Sequence, residues 1–206
     1  MIRDWIAEER RELAEVLDEL TPEQWSSPSL CEGWTVGHVV AHVTMPFRYS
    51  TPRFVLEFVR ARGRFDRAAD TIARRDVSLP RAELIATLRD NAEHPWKPPG
   101  GGYEGALTHD VVHGLDVTRP LGIDRQIPPE RLAVVLDSLT GTRSLRHFGV
   151  GVDGVGLRAV DVDWSHGDGA PLVGRGDDLV LMLAGRPVAP GALTGDGAAL
   201  VGGRAR

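Results

Sequence analysis

The sequence predicts a mainly α protein, a helical bundle over residues 1–148 followed by a small α/β part over 149–206. Three observations carry this. Apolar residues recur at spacings of three and four through most of the first 146 positions, the stripe of helices that bury one face. The texture turns Gly-rich at Gly149. Beyond it, one segment alternates with a period of two and one short stretch reads as a helix. With 206 residues and 42% hydrophobic residues, the chain is long enough to bury a sizeable core.

The elements follow in order. Ile2, Trp5, Ile6, Leu13, Val16, Leu17 and Leu20 define a first amphipathic helix over 2–20. Thr21-Pro22-Glu23-Gln24 supplies a hydroxyl cap, a proline at the first helical position and a glutamine at the third, which starts a short turn. The stretch from Ser26 to Ser29 ends it. Thr35 caps a long helix with Val36, Val39, Val40, Val43 and Phe47 on one face, expected to run to about Arg62 with an interruption near Pro52. A helix over 80–93 opens at Pro80. After the loop from Pro98 to Gly102 comes a helix carrying Leu107, Val111 and Leu115, stopped near Pro120, and Pro128 opens one reaching about Arg146. In the tail, Val160, Val162 and Trp164 alternate as a half-buried strand over 158–164. Asp177-Asp178, Leu179 to Leu183 and Gly185 supply the N-terminal charge, body and C-terminal cap of a short helix.

A net charge of -5 excludes the basic balance of a nucleic-acid binder, and no apolar run of about 18 residues spans a membrane. The first twenty residues are charged and helical rather than a leader, so the expectation is a cytoplasmic protein with neither nucleic acid nor membrane as partner. One cysteine, Cys31, rules out an intramolecular disulfide and an all-cysteine metal site. The basic residues are 23 arginines and Lys97, a bias read as codon usage. Oligomeric state has no signature in the sequence.

Four of the seven histidines fall in two HxxxH pairs, His38 with His42 and His109 with His113. Random placement gives roughly 0.2 such pairs. Residues four apart share a helix face, so each pair can present two imidazoles to one ion. Facing helices of a bundle are a usual place for such a site. A single histidine near an apolar face is more often hydrogen-bonded structure than a ligand; it is the two pairs together that favour metal. The zincin pattern does not fit His109-Asp110-Val111-Val112-His113, where aspartate stands for the glutamate base and no third ligand follows at the required spacing. Three protein ligands leave a catalytic position open and four close it, and His38 decides between these.

Gln24-Trp25, Pro28-Ser29-Leu30-Cys31-Glu32-Gly33-Trp34-Thr35-Val36 and Val39-Val40-Ala41-His42 resemble the N-terminal signature of the mycothiol-dependent maleylpyruvate isomerase family, related to the DinB-like metal-binding bundles. The resemblance extends to His113-Gly114-Leu115-Asp116 with Arg119-Pro120-Leu121-Gly122. In the tail it takes in Val162-Asp163-Trp164, Gly174-Arg175-Gly176, Leu183-Ala184-Gly185-Arg186-Pro187 and Leu193-Thr194-Gly195-Asp196-Gly197. It implies a DinB-like four-helix bundle holding a divalent metal, zinc or alternatively nickel, with a small C-terminal domain. It also implies His42, His109 and His113 as ligands, mycothiol as cofactor and a small electrophilic substrate. His109 stands where the isomerases often carry glutamate, and His38 where an acid is common. The catalytic arginine the resemblance implies falls on Arg175 or Arg186.

The chemistry expected from this is a metal-stabilised thiolate that either adds to a conjugated cis double bond and leaves, or stays attached to its electrophile. The alternative is a non-catalytic metal- or ligand-binding protein on the same bundle. Cys31 reads as a small buried hydrophobe, Asp116 as a carboxylate orienting His113 or pairing with Arg119, and the five tryptophans as core or loop anchors.

Overall fold

The computed structural model describes residues 1–203. Helices dominate it, with a small α/β arrangement toward the C-terminus. Among the described residues no helix is long and apolar enough to cross a membrane. The chain divides into two compact units, residues 1–98 with 116–124 and residues 99–115 with 125–206.

The first unit contains α1 (Ile2–Glu19), α2 (Pro22–Trp25), α3 (Val36–Val43), α4 (Met45–Arg48), α5 (Thr51–Arg60), α6 (Phe65–Asp76) and α7 (Arg81–Asp90). Leu13 and Leu17 of α1, Val36, Val39, Val40 and Val43 of α3, and Leu84, Ile85 and Leu88 of α7 form one buried cluster. At eight residues α3 is too short to stand alone, so this packing holds it. Each such side chain removed from water contributes about 1.5–3 kcal/mol. Buried Arg10 donates from Nη1 to the carbonyls of Ala92 at 3.1 Å and His94 at 2.9 Å, satisfying acceptors just past the end of α7. Thr21 caps α2 in a capping box with Gln24, as its sequence expects.

The long helix expected from Thr35 to Arg62 is instead three. Thr44 folds its hydroxyl onto the Val40 carbonyl at 2.7 Å, and Pro46 at the start of α4 has no N–H with which to continue α3. Tyr49 and Ser50 are extended, which ends α4 and makes Ser50 the N-cap of α5, with Pro52 in its first turn. Helix α6 has no counterpart in the sequence reading. Apart from Ile72 its buried apolar side chains are the short Ala68, Ala69 and Ala73, a stripe whose small residues hide its period.

The second unit holds most of α8 (Gly102–Thr118), then α9 (Pro129–Thr140), α10 (Thr142–Phe148) and α11 (Gly176–Leu183), the last packed on α9. The expected helix over 128–146 breaks at Gly141, whose ψ of 139° is extended. Strands β1 (Val150–Gly151), β2 (Val155–Ala159), β3 (Ser165–His166), β4 (Ala170–Gly174), β5 (Leu193–Thr194) and β6 (Gly202–Gly203) form a two-stranded pair β1-β6 and a four-stranded sheet ordered β3-β2-β4-β5. Its centre is parallel, with Leu157 opposite Leu172, and both edge pairs are antiparallel. The strand thus lies earlier than the expected 158–164: Val160 is 65% exposed, while Trp164 turns inward and donates its Nε1–H to Asp137 at 2.8 Å. Helix α11 matches its sequence reading, with Gly185 at φ +69° after its end.

Candidate metal centre

Thr35 starts α3, which places His38 in its first turn and His42 in its last. The Nδ1 of His38 accepts the Thr35 backbone N–H at 3.2 Å and lies 2.7 Å from the Thr35 hydroxyl. That nitrogen completes a helix cap, and in the neutral ring the proton then sits on Nε2, which makes the second nitrogen a donor. Burial, followed by the charge of Arg74, pushes the His38 pKa below its ordinary value, so the neutral ring is favoured. His42, one turn on, is buried with its ring tilted 5.3 Å from Trp34. Trp34 is itself fixed by an Nε1–H bond to Asp70 at 2.9 Å.

Helix α8 carries His109 and His113 on one face, their rings edge to face at 4.7 Å between centroids. The Nδ1 of His109 is 2.8 Å from Oδ1 of Asp110, whose side chain is 8% exposed. A carboxylate on Nδ1 fixes the tautomer and leaves Nε2 with its lone pair outward, the arrangement that orients histidine ligands in metal sites. The sequence reading weighed Asp110 only as a zincin base. Its position beside His109 was visible in the sequence, but the rotamer that turns it back onto the ring was not.

His42 lies in the first unit and His109 with His113 in the second, and each offers a ring nitrogen of the kind that ligates zinc. His38 already spends a ring nitrogen on its cap. The Cys31 thiol donates to Oδ2 of the fully buried Asp116 at 3.0 Å. Cys31 is therefore a polar anchor as well as packing, and no local signal could reveal a partner 85 positions away.

The two candidate arginines both lie in the second unit. Arg175 precedes α11, half-exposed, 3.4 Å from Asp177 and 3.5 Å from Asp161. It lines a cavity of about 300 Å³ together with Arg125, Ile127 and Leu132. Arg186 follows the same helix and donates from Nη1 to the Ala184 carbonyl at 3.0 Å. Of the remaining histidines, His94 accepts the Trp96 N–H, His147 lies edge-on to Phe148 and His166 stacks on Trp164.

Residues 6–95 match the sequence profile of the mycothiol maleylpyruvate isomerase N-terminal domain. Over these residues, fewer than half of the chain, the sequence is similar to that family. The matched span includes Gln24 to His42, the first of the segments on which the sequence resemblance rests, while those from His113 onward lie outside it. Among solved structures, a mutant of mycothiol-dependent maleylpyruvate isomerase superposes with a TM-score of 0.53 at 18% identity, covering 95% of each chain, and so shares the fold. A second structure of mycothiol-dependent maleylpyruvate isomerase gives a TM-score of 0.49 at 18% identity, again over 95% of both chains. Among curated proteins none matches.

Proposed function

We propose that this chain is a divalent-metal enzyme that uses mycothiol, acting as an isomerase of the maleylpyruvate type or as a thiol S-transferase, with His42, His109 and His113 as ligands. The observation that carries the reading is the pair of imidazoles that α8 presents on one face, His109 and His113 at 4.7 Å between ring centroids, with Asp110 on the first. The donor set fits zinc, with nickel as the next choice, since both accept imidazole. When bound by three protein ligands with a fourth position open, such an ion stabilises a coordinated thiol as its thiolate at neutral pH.

The chain's own residues supply the rest. Asp110 holds His109 in the ligating tautomer. His38, committed to the cap of α3, leaves the fourth position for the incoming thiol. Trp34 packs beside His42 and restricts its ring. Arg175 carries a guanidinium at the edge of a cavity and can pair with a substrate carboxylate by exchanging one of its long contacts to Asp161 or Asp177, and Arg186 is the second candidate for that role. The reading divides the labour between a helical part, 1–148, that holds the ion and an α/β part, 149–206, that carries the arginine. A thiol-dependent reaction suits the cytoplasm, where low-molecular-weight thiols stay reduced.

The test is elemental analysis of protein purified without chelator, followed by turnover of a panel of electrophiles with mycothiol. About one ion per chain is expected, lost in His42→Ala and His113→Ala and retained in His38→Gln. A wild type that carries no metal and gains no thermal stability from zinc or nickel overturns the proposal. Metal without turnover leaves the binding-protein alternative.

A further inference from the structure

Helix α5 is built inside out. Its one acid, Glu57, is buried and bound to Arg75 at 3.0 Å and Arg60 at 3.5 Å, while Val55, Leu56 and Val59 face solvent at 51%, 49% and 65% exposure. Phe65, at the start of α6, is 41% exposed. Of the seven large hydrophobic side chains exposed among the described residues, these four fall within eleven consecutive positions, so the patch is local rather than the scattered exposure normal for a surface. Its charge is equally local. Arg53, Arg60, Arg62, Arg64 and Arg67 are exposed around it and Asp66 is the one exposed acid between positions 53 and 67, in a chain whose net charge is -5. Arg62 and Gly63 both adopt left-handed backbone conformations, the turn that separates α5 from α6.

By helical angle, Pro52, Val55, Leu56 and Val59 form one stripe with Arg53 and Arg60 along its side. A convex aliphatic stripe edged by arginines is the pattern of a helix lying in the plane of an anionic membrane surface. A second copy of the chain fits less well. A two-fold contact through this face would set its arginines against their own copies. Four side chains, all partly covered, also fall well short of the roughly 800 Å² per partner of a stable interface.

We propose that α5 and the following turn form a peripheral docking surface for anionic lipid, seating the chain reversibly on a membrane without spanning it. The proposal is independent of the metal reading. The test is co-sedimentation of the full chain with vesicles of phosphatidylcholine alone and of phosphatidylcholine with phosphatidylglycerol, at low and high salt. Binding is expected only to the anionic vesicles and to weaken with salt. Arg62→Gln with Arg64→Gln should weaken it about fivefold per charge removed, about 25-fold for the pair. Val55→Ser with Val59→Ser should abolish it while leaving the thermal melt of the chain intact. Absence of binding overturns the proposal, as does binding indifferent to salt or to the arginine pair. A dimer in sedimentation velocity that the valine pair dissociates, with no vesicle binding, assigns the face to a second copy instead and equally overturns it.

Discussion

Asp76 is the side chain whose loss should reach furthest from its own position. Its carboxylate, 9% exposed, accepts from Arg48 Nη1 at 2.6 Å, the Tyr49 hydroxyl at 2.8 Å and Arg75 Nε at 3.1 Å. Arg48 is 13% exposed and uses its other donors on the Ala41 carbonyl at 2.7 Å and the Thr44 hydroxyl at 3.3 Å, the last turn of α3 beside His42. Asp76→Asn keeps the shape, removes the charge and turns an amide toward three donors. Breaking a buried pair costs about 3–5 kcal/mol. The lower end applies, about 3 kcal/mol, because Arg48 keeps two acceptors and the Arg75 contact, 45% exposed, is screened to near nothing. Urea unfolding of the full chain, read by tryptophan fluorescence, measures it. A loss below about 1 kcal/mol with an unchanged m-value would falsify the reasoning, since the carboxylate would then be solvated rather than structural. The pH dependence supplies a sign. Burial alone would raise the Asp76 pKa, but hydrogen bonds from Arg48, Tyr49 and Arg75 outweigh it and hold the carboxyl below its ordinary value. Its contribution is therefore complete above the unfolded value of about 3.9 and lost as pH falls through the lower folded one. The variant should show a correspondingly flatter acid limb.

Asp110→Asn should weaken zinc binding about 10–100-fold with little change in the melt of the metal-free chain, measured by competition with a chromophoric chelator; equal affinities would show that Asp110 does not orient His109. Cys31→Ala should cost about 1–2 kcal/mol and Cys31→Ser less, because serine keeps a donor for Asp116; the reverse order in a thermal melt would mean that packing dominates. The His38 ring should titrate below the ordinary histidine value in a proton NMR titration. Since its folded pKa is depressed, the stability it contributes is full above about pH 6.5 and declines as pH falls through the folded value, and a titration at or above 6.5 would refute the neutral cap.

Much of the helical order was legible because the core is built from leucine and valine at helical spacing, as in α1 and α11, or announced by caps such as Thr21 and Thr35. Helix α6 was not, since alanine buries without marking a period. The edges of the β part were not legible, because Val160 and Val162 alternate like a strand while β2 begins three and ends five positions earlier than the expected segment. For the candidate site, the spacing of His109 and His113 showed the shared face directly. What the sequence left open about His38 depended on where α3 begins, a matter of one backbone N–H. The Cys31–Asp116 bond joins distant positions, beyond the reach of any local pattern.

The cap at His38 bears on how paired histidines should be counted and engineered. Two histidines four apart supply two ligands only when neither ring caps its helix; where the first falls at the third helical position, the backbone N–H of the residue before the helix competes for its ring. To turn the proposed three-histidine site into a closed, purely structural four-ligand one, it would not suffice to add an ion or a neighbour. The start of α3 would have to move back by a turn, with a new residue taking over the exposed N–H of Thr35.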